Sequence, residues 1–209
     1  MDKCSASWAK MLDPNATLTL AERVADTAEK LGIPTALIGG TALAVYRYTR
    51  GTEDIDLAAY VDPFTQLSRL KRALASDGLH TRLSEPDDDD PLGGMLSVWE
   101  REDSAGEPVD VVEVVNFLNP FRPGGSPARA AISRAITLSS ARLRCVTLPD
   151  LIALKLYAGG TEDLGDIVQL LALNADADLE SIRAIAGPFD SDGRLEGLIA
   201  EAEQLRGKA

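Results

Sequence analysis

The chain has little cysteine or histidine: Cys4, Cys145 and His80 are the whole supply in 209 residues. Two cysteines 141 positions apart are no disulfide framework, so free thiols in a reducing, cytoplasmic setting are expected. A lone histidine within a strand-like stretch is assigned no catalysis. No apolar run approaches the roughly 18 residues that a membrane-spanning helix requires. Residues Met1 to Trp8 lack the basic start and apolar core of a secretory signal. No repeat of whole-domain size is present.

What the chain does have is acid. Its formal net charge is -12, from 33 acidic and 21 basic residues. Residues 85–116 hold 11 acids and one base, whereas the segments on either side are close to balanced. A nucleic-acid partner is therefore only weakly opposed by the overall charge. Glu85-Pro86-Asp87-Asp88-Asp89-Asp90-Pro91 reads as a solvated, mobile loop, since adjacent like charges repel and prolines flank them. Arg122, Arg129, Arg134, Arg142 and Arg144 form an acid-free run that either balances the acidic stretch or binds an RNA backbone.

Hydrophobic spacing outlines the elements. Leu20, Val24, Ala28 and Leu31 predict an amphipathic helix, with Thr19 as N-cap, Glu22 completing a capping box and Gly32 closing it. A strand is expected over 35–38, a helix over 42–48, a strand over 54–61 and a helix from Pro63 to near Gly78. A strand over 79–84 and two strands, 95–102 and 108–115, joined by a hairpin-like loop come next. A short helix over 128–134, β character over 136–146 and four closing helices complete the chain. The class is α+β: a mixed-sheet core over 1–147 and a helical region over 148–209.

One stretch organises the rest. Leu37-Ile38-Gly39-Gly40-Thr41 is a buried strand breaking at two glycines before a helix, a place where free N–H groups and the helix dipole favour phosphate. Asp54-Ile55-Asp56 follows, and side chains alternate along a strand, so both carboxylates point to one side. Such a pair suits a hard cation such as Mg2+. The plainer alternative is a structural salt bridge, but these acids open directly into the apolar run Leu57-Ala58-Ala59-Tyr60-Val61. Asp110, alone inside Val109-Asp110-Val111-Val112, is the third candidate; facing the same site, it would complete a two-metal triad.

Taken together, Gly39-Gly40-Thr41, Asp54-Ile55-Asp56 and Asp110 resemble the nucleotidyltransferase superfamily with the DNA-polymerase-β-like core. More narrowly the chain resembles its AbiEii/minimal nucleotidyltransferase branch, which includes toxins of toxin–antitoxin systems. Pro149-Asp150-Leu151-Ile152-Ala153-Leu154-Lys155-Leu156 and Asp163-Leu164-Gly165-Asp166-Ile167 are similar to the two helices that follow in that branch. The resemblance implies transfer of an NMP from an NTP to an acceptor hydroxyl, with two Mg2+ ions. It implies that Gly39, Gly40 and Thr41 hold phosphates, that Asp54 and Asp56 bind metal, and that Asp110 binds the second metal and acts as general base. Lys155 would neutralise the triphosphate. Relatives often carry Arg or Lys in the linker between the two helices; here it is Gly159-Gly160-Thr161-Glu162. Asp163 and Asp166, three apart on a helix, either complement its dipole or engage Lys155.

The acceptor stays open. The toxin-like resemblance and the arginine run suggest tRNA or protein. The acidic stretch suggests a small cationic molecule, as for antibiotic nucleotidyltransferases. An antitoxin partner, or a fold kept for binding without catalysis, is the remaining alternative.

Overall fold

A computed structural model describes residues 14–52, 54–122 and 124–207. Cys4 and the reading of residues 1–13 lie outside them. The sheet has seven strands: β1 (Ala36–Leu37), β2 (Asp54–Ala59), β3 (His80–Ser84), β4 (Met95–Trp99), β7 (Val111–Asn116), β8 (Ile136–Thr137) and β9 (Arg144–Cys145). Their spatial order is β3-β4-β7-β2-β1-β9-β8, and β5 (Arg101–Glu102) with β6 (Pro108–Val109) forms a separate ribbon. The pairs β2·β7 and β1·β9 are parallel and the others antiparallel, so the α+β, mixed-sheet expectation holds.

Alternation along the central strands sorts the two faces. Ile55, Leu57, Leu96, Val98, Val112 and Val114 are buried, and register pairs Leu96 with Val114, Val98 with Val112 and Leu57 with Val114. Burying each such side chain contributes roughly 1.5–3 kcal/mol. Helix α1 (Pro14–Lys30) meets β2 and β7 and also packs on α3 (Ser68–Ser76), burying Leu20, Ala21, Val24 and Ala28. Proline opens α1, so Thr19 lies inside it and donates to the Asn15 carbonyl instead of capping. Glu22 is likewise no capping-box partner; it accepts from the Arg142 backbone and side chain. Asp62 caps the wide turn Pro63–Leu67 that leads into α3, accepting from the Thr65 N–H.

The other face of β2 and β7 carries the polar side chains. Helix α2 (Gly39–Val45) starts at the two glycines, earlier than the spacing suggests, and stops at Tyr46. Helix α4 (Ala128–Arg134) packs on β2 and on α5 (Leu148–Ala158). Helices α6 (Thr161–Leu173) and α7 (Leu179–Ala186) pack on α5, and α8 (Leu195–Arg206) packs on α6. In α5, Thr147 caps the N-terminus, Pro149 occupies the first turn and Gly159 closes the helix at φ 68°. No helix among the described residues is long and apolar enough to cross a membrane.

Candidate active site

The parallel pairing of β2 with β7 sets Asp54 opposite Val111 and Asp56 opposite Glu113. Side chains in register share a face, so Asp54, Asp56 and Glu113 converge. Each offers an oxygen, and the three oxygens lie within 4.8 Å of one another. Burial pushes the Asp56 carboxyl up to about 7, aided by the charges of Asp54 and Glu113 and opposed by those of Lys155 and Arg50. Burial also raises Glu113, with Asp54 adding to it, while a hydrogen bond from Ser97 at 3.3 Å works the other way.

Three crowded carboxylates are a costly arrangement without a cation. Hard oxygen donors at this spacing fit a divalent ion such as Mg2+. Among the described residues, these three form the only cluster of acids, histidine or cysteine with ligand geometry.

The structure places Asp110 elsewhere. It does not join the cluster; its place is taken by Glu113, which sequence reasoning passed over. Asp110 has φ 56° and breaks the run between β6 and β7. Its carboxylate turns toward α1, accepting from the Thr17 hydroxyl at 3.2 Å, and pairs with the Arg101 guanidinium. It is 6% exposed and already neutralised.

Glycine is required where α2 approaches the acids. Gly39 has φ 61°, and a Cβ there would lie 1.8 Å from an Asp56 carboxylate oxygen. A Cβ on Gly40 would lie 2.8 Å from that of Thr52. The Thr52 hydroxyl in turn reaches Asp54, 2.9 Å from its carboxylate and 3.0 Å from its carbonyl. The Gly-Gly turn, the loop before β2 and the acid pair are thus one packed unit. Thr41 lies half-buried in the first turn of α2.

Two cations face this unit. Lys155 is 6% exposed on an otherwise apolar stretch of α5, and its ammonium donates to Asp163 at 3.0 Å and Asp166 at 2.7 Å. The electrostatic link between Lys155 and the α6 acids is therefore formed. Arg50, from the loop before β2, lies 3.2 Å from Glu162 and 3.6 Å from Asp166. Sequence reading gave Arg50 no role; its position four residues before Asp54 was the available signal.

Most of the arginine run is structurally engaged. Arg134 pairs with Asp150, Arg142 pairs with Glu22 and Asp26, and Arg144 donates to the carbonyls of Ile132 and Ala135. Arg129 stacks over Tyr60 at 4.9 Å.

Residues 24–208 match the model of the family described as nucleotidyl transferase AbiEii toxin, Type IV TA system. No curated protein matches the chain. Among solved structures, the chain is similar to the antibiotic-resistance factor ANT(2'')-Ia in solution, at 17% identity and a TM-score of 0.51, covering 91% of this chain and 98% of that one. It is similar to ANT(2")-Ia in complex with adenylyl-2"-tobramycin at 18% identity and a TM-score of 0.50, covering 84% and 98%. An antigenic nucleotidyltransferase-like protein from Paracoccidioides brasiliensis matches at 16% identity and a TM-score of 0.50, covering 91% and 94%. At these identities the structures show a shared fold.

Proposed function

The chain belongs to the AbiEii nucleotidyltransferase family, and from that premise we propose that it moves an NMP from an NTP to an acceptor hydroxyl with the help of Mg2+. The observation that carries the reading is the Asp54, Asp56 and Glu113 cluster set against the Gly39-Gly40 turn. Asp54, Asp56 and Glu113 would hold Mg2+, which when bound would supply electrostatic stabilisation of the charge that develops on the transferred phosphate. Glu113, whose proton affinity is raised, accepts the proton from the acceptor hydroxyl at its carboxylate. Gly39, Gly40 and Thr41 border the phosphates, and Lys155 balances their charge from α5. The role first expected of Asp110 passes to Glu113.

The test is incubation with each labelled NTP, Mg2+ and cell extract, comparing the wild type with Asp56→Asn. Label transferred equally by both proteins would defeat the proposal. The acceptor is an RNA such as tRNA, a protein, or a small cationic molecule. A polyanionic acceptor loses affinity steeply with added salt through counterion release, which separates the first class from the others. The family description also supports a toxin role with an antitoxin partner. Co-expression with a neighbouring gene product, scored by growth, tests it.

A further inference from the structure

We infer that Arg50 is a phosphate-binding residue of the nucleotide cleft, working with Lys155 on the β- and γ-phosphates. The inference rests on the nucleotidyltransferase reading and adds a residue to it.

Four features of Arg50 carry the argument. Its loop is anchored at one end: Thr52, two residues on, is fixed by its hydroxyl to Asp54 and by close packing to Gly40. The guanidinium Nη1 lies 3.2 Å from Glu162 at the start of α6. Second, Arg50 lies in the loop four residues before Asp54, which opens the strand that carries two of the three clustered carboxylates. Third, Arg50 and Lys155 are both directed at the same Asp166 oxygen, and Lys155 takes it at 2.7 Å while Arg50 Nε stops at 3.6 Å. That Nε is buried and has no hydrogen-bond partner. A buried guanidinium donor left unspent is costly unless a ligand uses it. Fourth, Gly159-Gly160 between α5 and α6 supplies no cation of its own.

A guanidinium offers a planar fork that matches phosphate oxygens, which a flexible ammonium does not. The α6 acids hold Arg50 and Lys155. On binding, Arg50 releases the exposed Glu162 and turns its donors to the triphosphate. It then balances charge on the pyrophosphate that departs. Asp166 keeps both cations in place.

Calorimetry with Mg2+ and inorganic triphosphate, an NTP and an NMP tests this. Arg50→Ala is expected to weaken triphosphate and NTP binding about 10- to 100-fold and NMP binding by less than about twofold. Arg50→Lys is expected to fall between, since it keeps charge and loses the fork. Glu162→Gln removes the ion pair but is expected to retain or improve NTP affinity. Equal NTP affinity in wild type and Arg50→Ala overturns the inference while leaving the transferase reading intact. An equal loss in Glu162→Gln also overturns it, by making Arg50 an anchor for α6. A wild-type protein that binds neither NTP nor triphosphate overturns both. Should Arg50→Ala melt early, Arg50→Gln carries the same comparison.

Discussion

Asp56 and Glu113 stand directly opposite each other on two parallel strands, and burial raises the proton affinity of both. Asp110, three residues before Glu113, is tied instead to Arg101 and Thr17. The two acids of this one segment therefore have separable tasks. Glu113→Gln is expected to keep the fold and to lower NMP transfer at least about 100-fold, on the order of 3 kcal/mol in the barrier. Asp110→Asn is expected to lower stability by about 1–3 kcal/mol and to leave transfer near wild type below its melting temperature. Transfer assays paired with thermal melts decide it; the opposite pattern would return the catalytic role to Asp110.

The proton on Asp56 gives a pH signature. Its carboxyl is raised from 3.8 to about 7, so between these values the folded protein holds a proton that the unfolded chain has released. In metal-free protein the stability from this group is complete below the unfolded value and is lost as pH rises through about 7. Glu113 is shifted in the same direction. Mg2+ competes with that proton, so its stabilising effect is expected to be larger at about pH 8 than at about pH 5.5. Thermal melts with and without Mg2+ at both values measure it. Equal shifts would mean that the metal does not bind at these carboxylates.

The contrast between Asp110 and Glu113 shows where the sequence is readable. Elements with strong local signals follow the expected course: the strand expected over 54–61 forms as Asp54–Ala59, and the short helix expected over 128–134 forms as Ala128–Arg134. Asp54 and Asp56 are readable because a period of two needs only one strand. The third carboxylate is not, because its face depends on how β7 registers with β2 and on the φ of 56° at Asp110. Neither is written in local spacing. Asp163 and Asp166 were placeable as neighbours on one helix, but Arg50 reaches Asp166 across 116 residues of sequence. Pairing at that range is tertiary information.

Gly39 permits a sharper test of the packed unit. Gly39→Ala puts a methyl where an Asp56 oxygen now sits, at a backbone angle that alanine disfavours. A stability loss of about 1–3 kcal/mol is expected, together with weaker Mg2+ binding, because Asp56 must move. Gly51→Ala, where the added Cβ meets nothing within 4 Å, is expected to leave Mg2+ binding unchanged. Mg2+ titrations of both variants compare the two positions; unchanged binding in Gly39→Ala would separate the turn from the metal site.

One residue, Asn119, ties the acidic loop to the chain that follows β7. Asn119 is 4% exposed, and its side-chain amide donates to the carbonyls of Asp87 and Asp90 at 2.7 Å and of Leu92 at 2.9 Å. Its own oxygen accepts from the Phe121 N–H at 2.8 Å. Within the loop, Asp87 accepts from the N–H groups of Asp89 and Asp90, so its charge organises a turn despite the repulsion around it. The local sequence does not reveal these hydrogen bonds to backbone. Removing the Asn119 side chain leaves several carbonyls and one N–H without that partner. Asn119→Ala is expected to cost about 1–3 kcal/mol and to speed amide exchange across 87–92. Asn119→Asp is expected to cost more, since it removes the donors and adds a carboxylate to an acidic segment. Exchange rates unchanged in both variants would show that the loop is held by something other than Asn119.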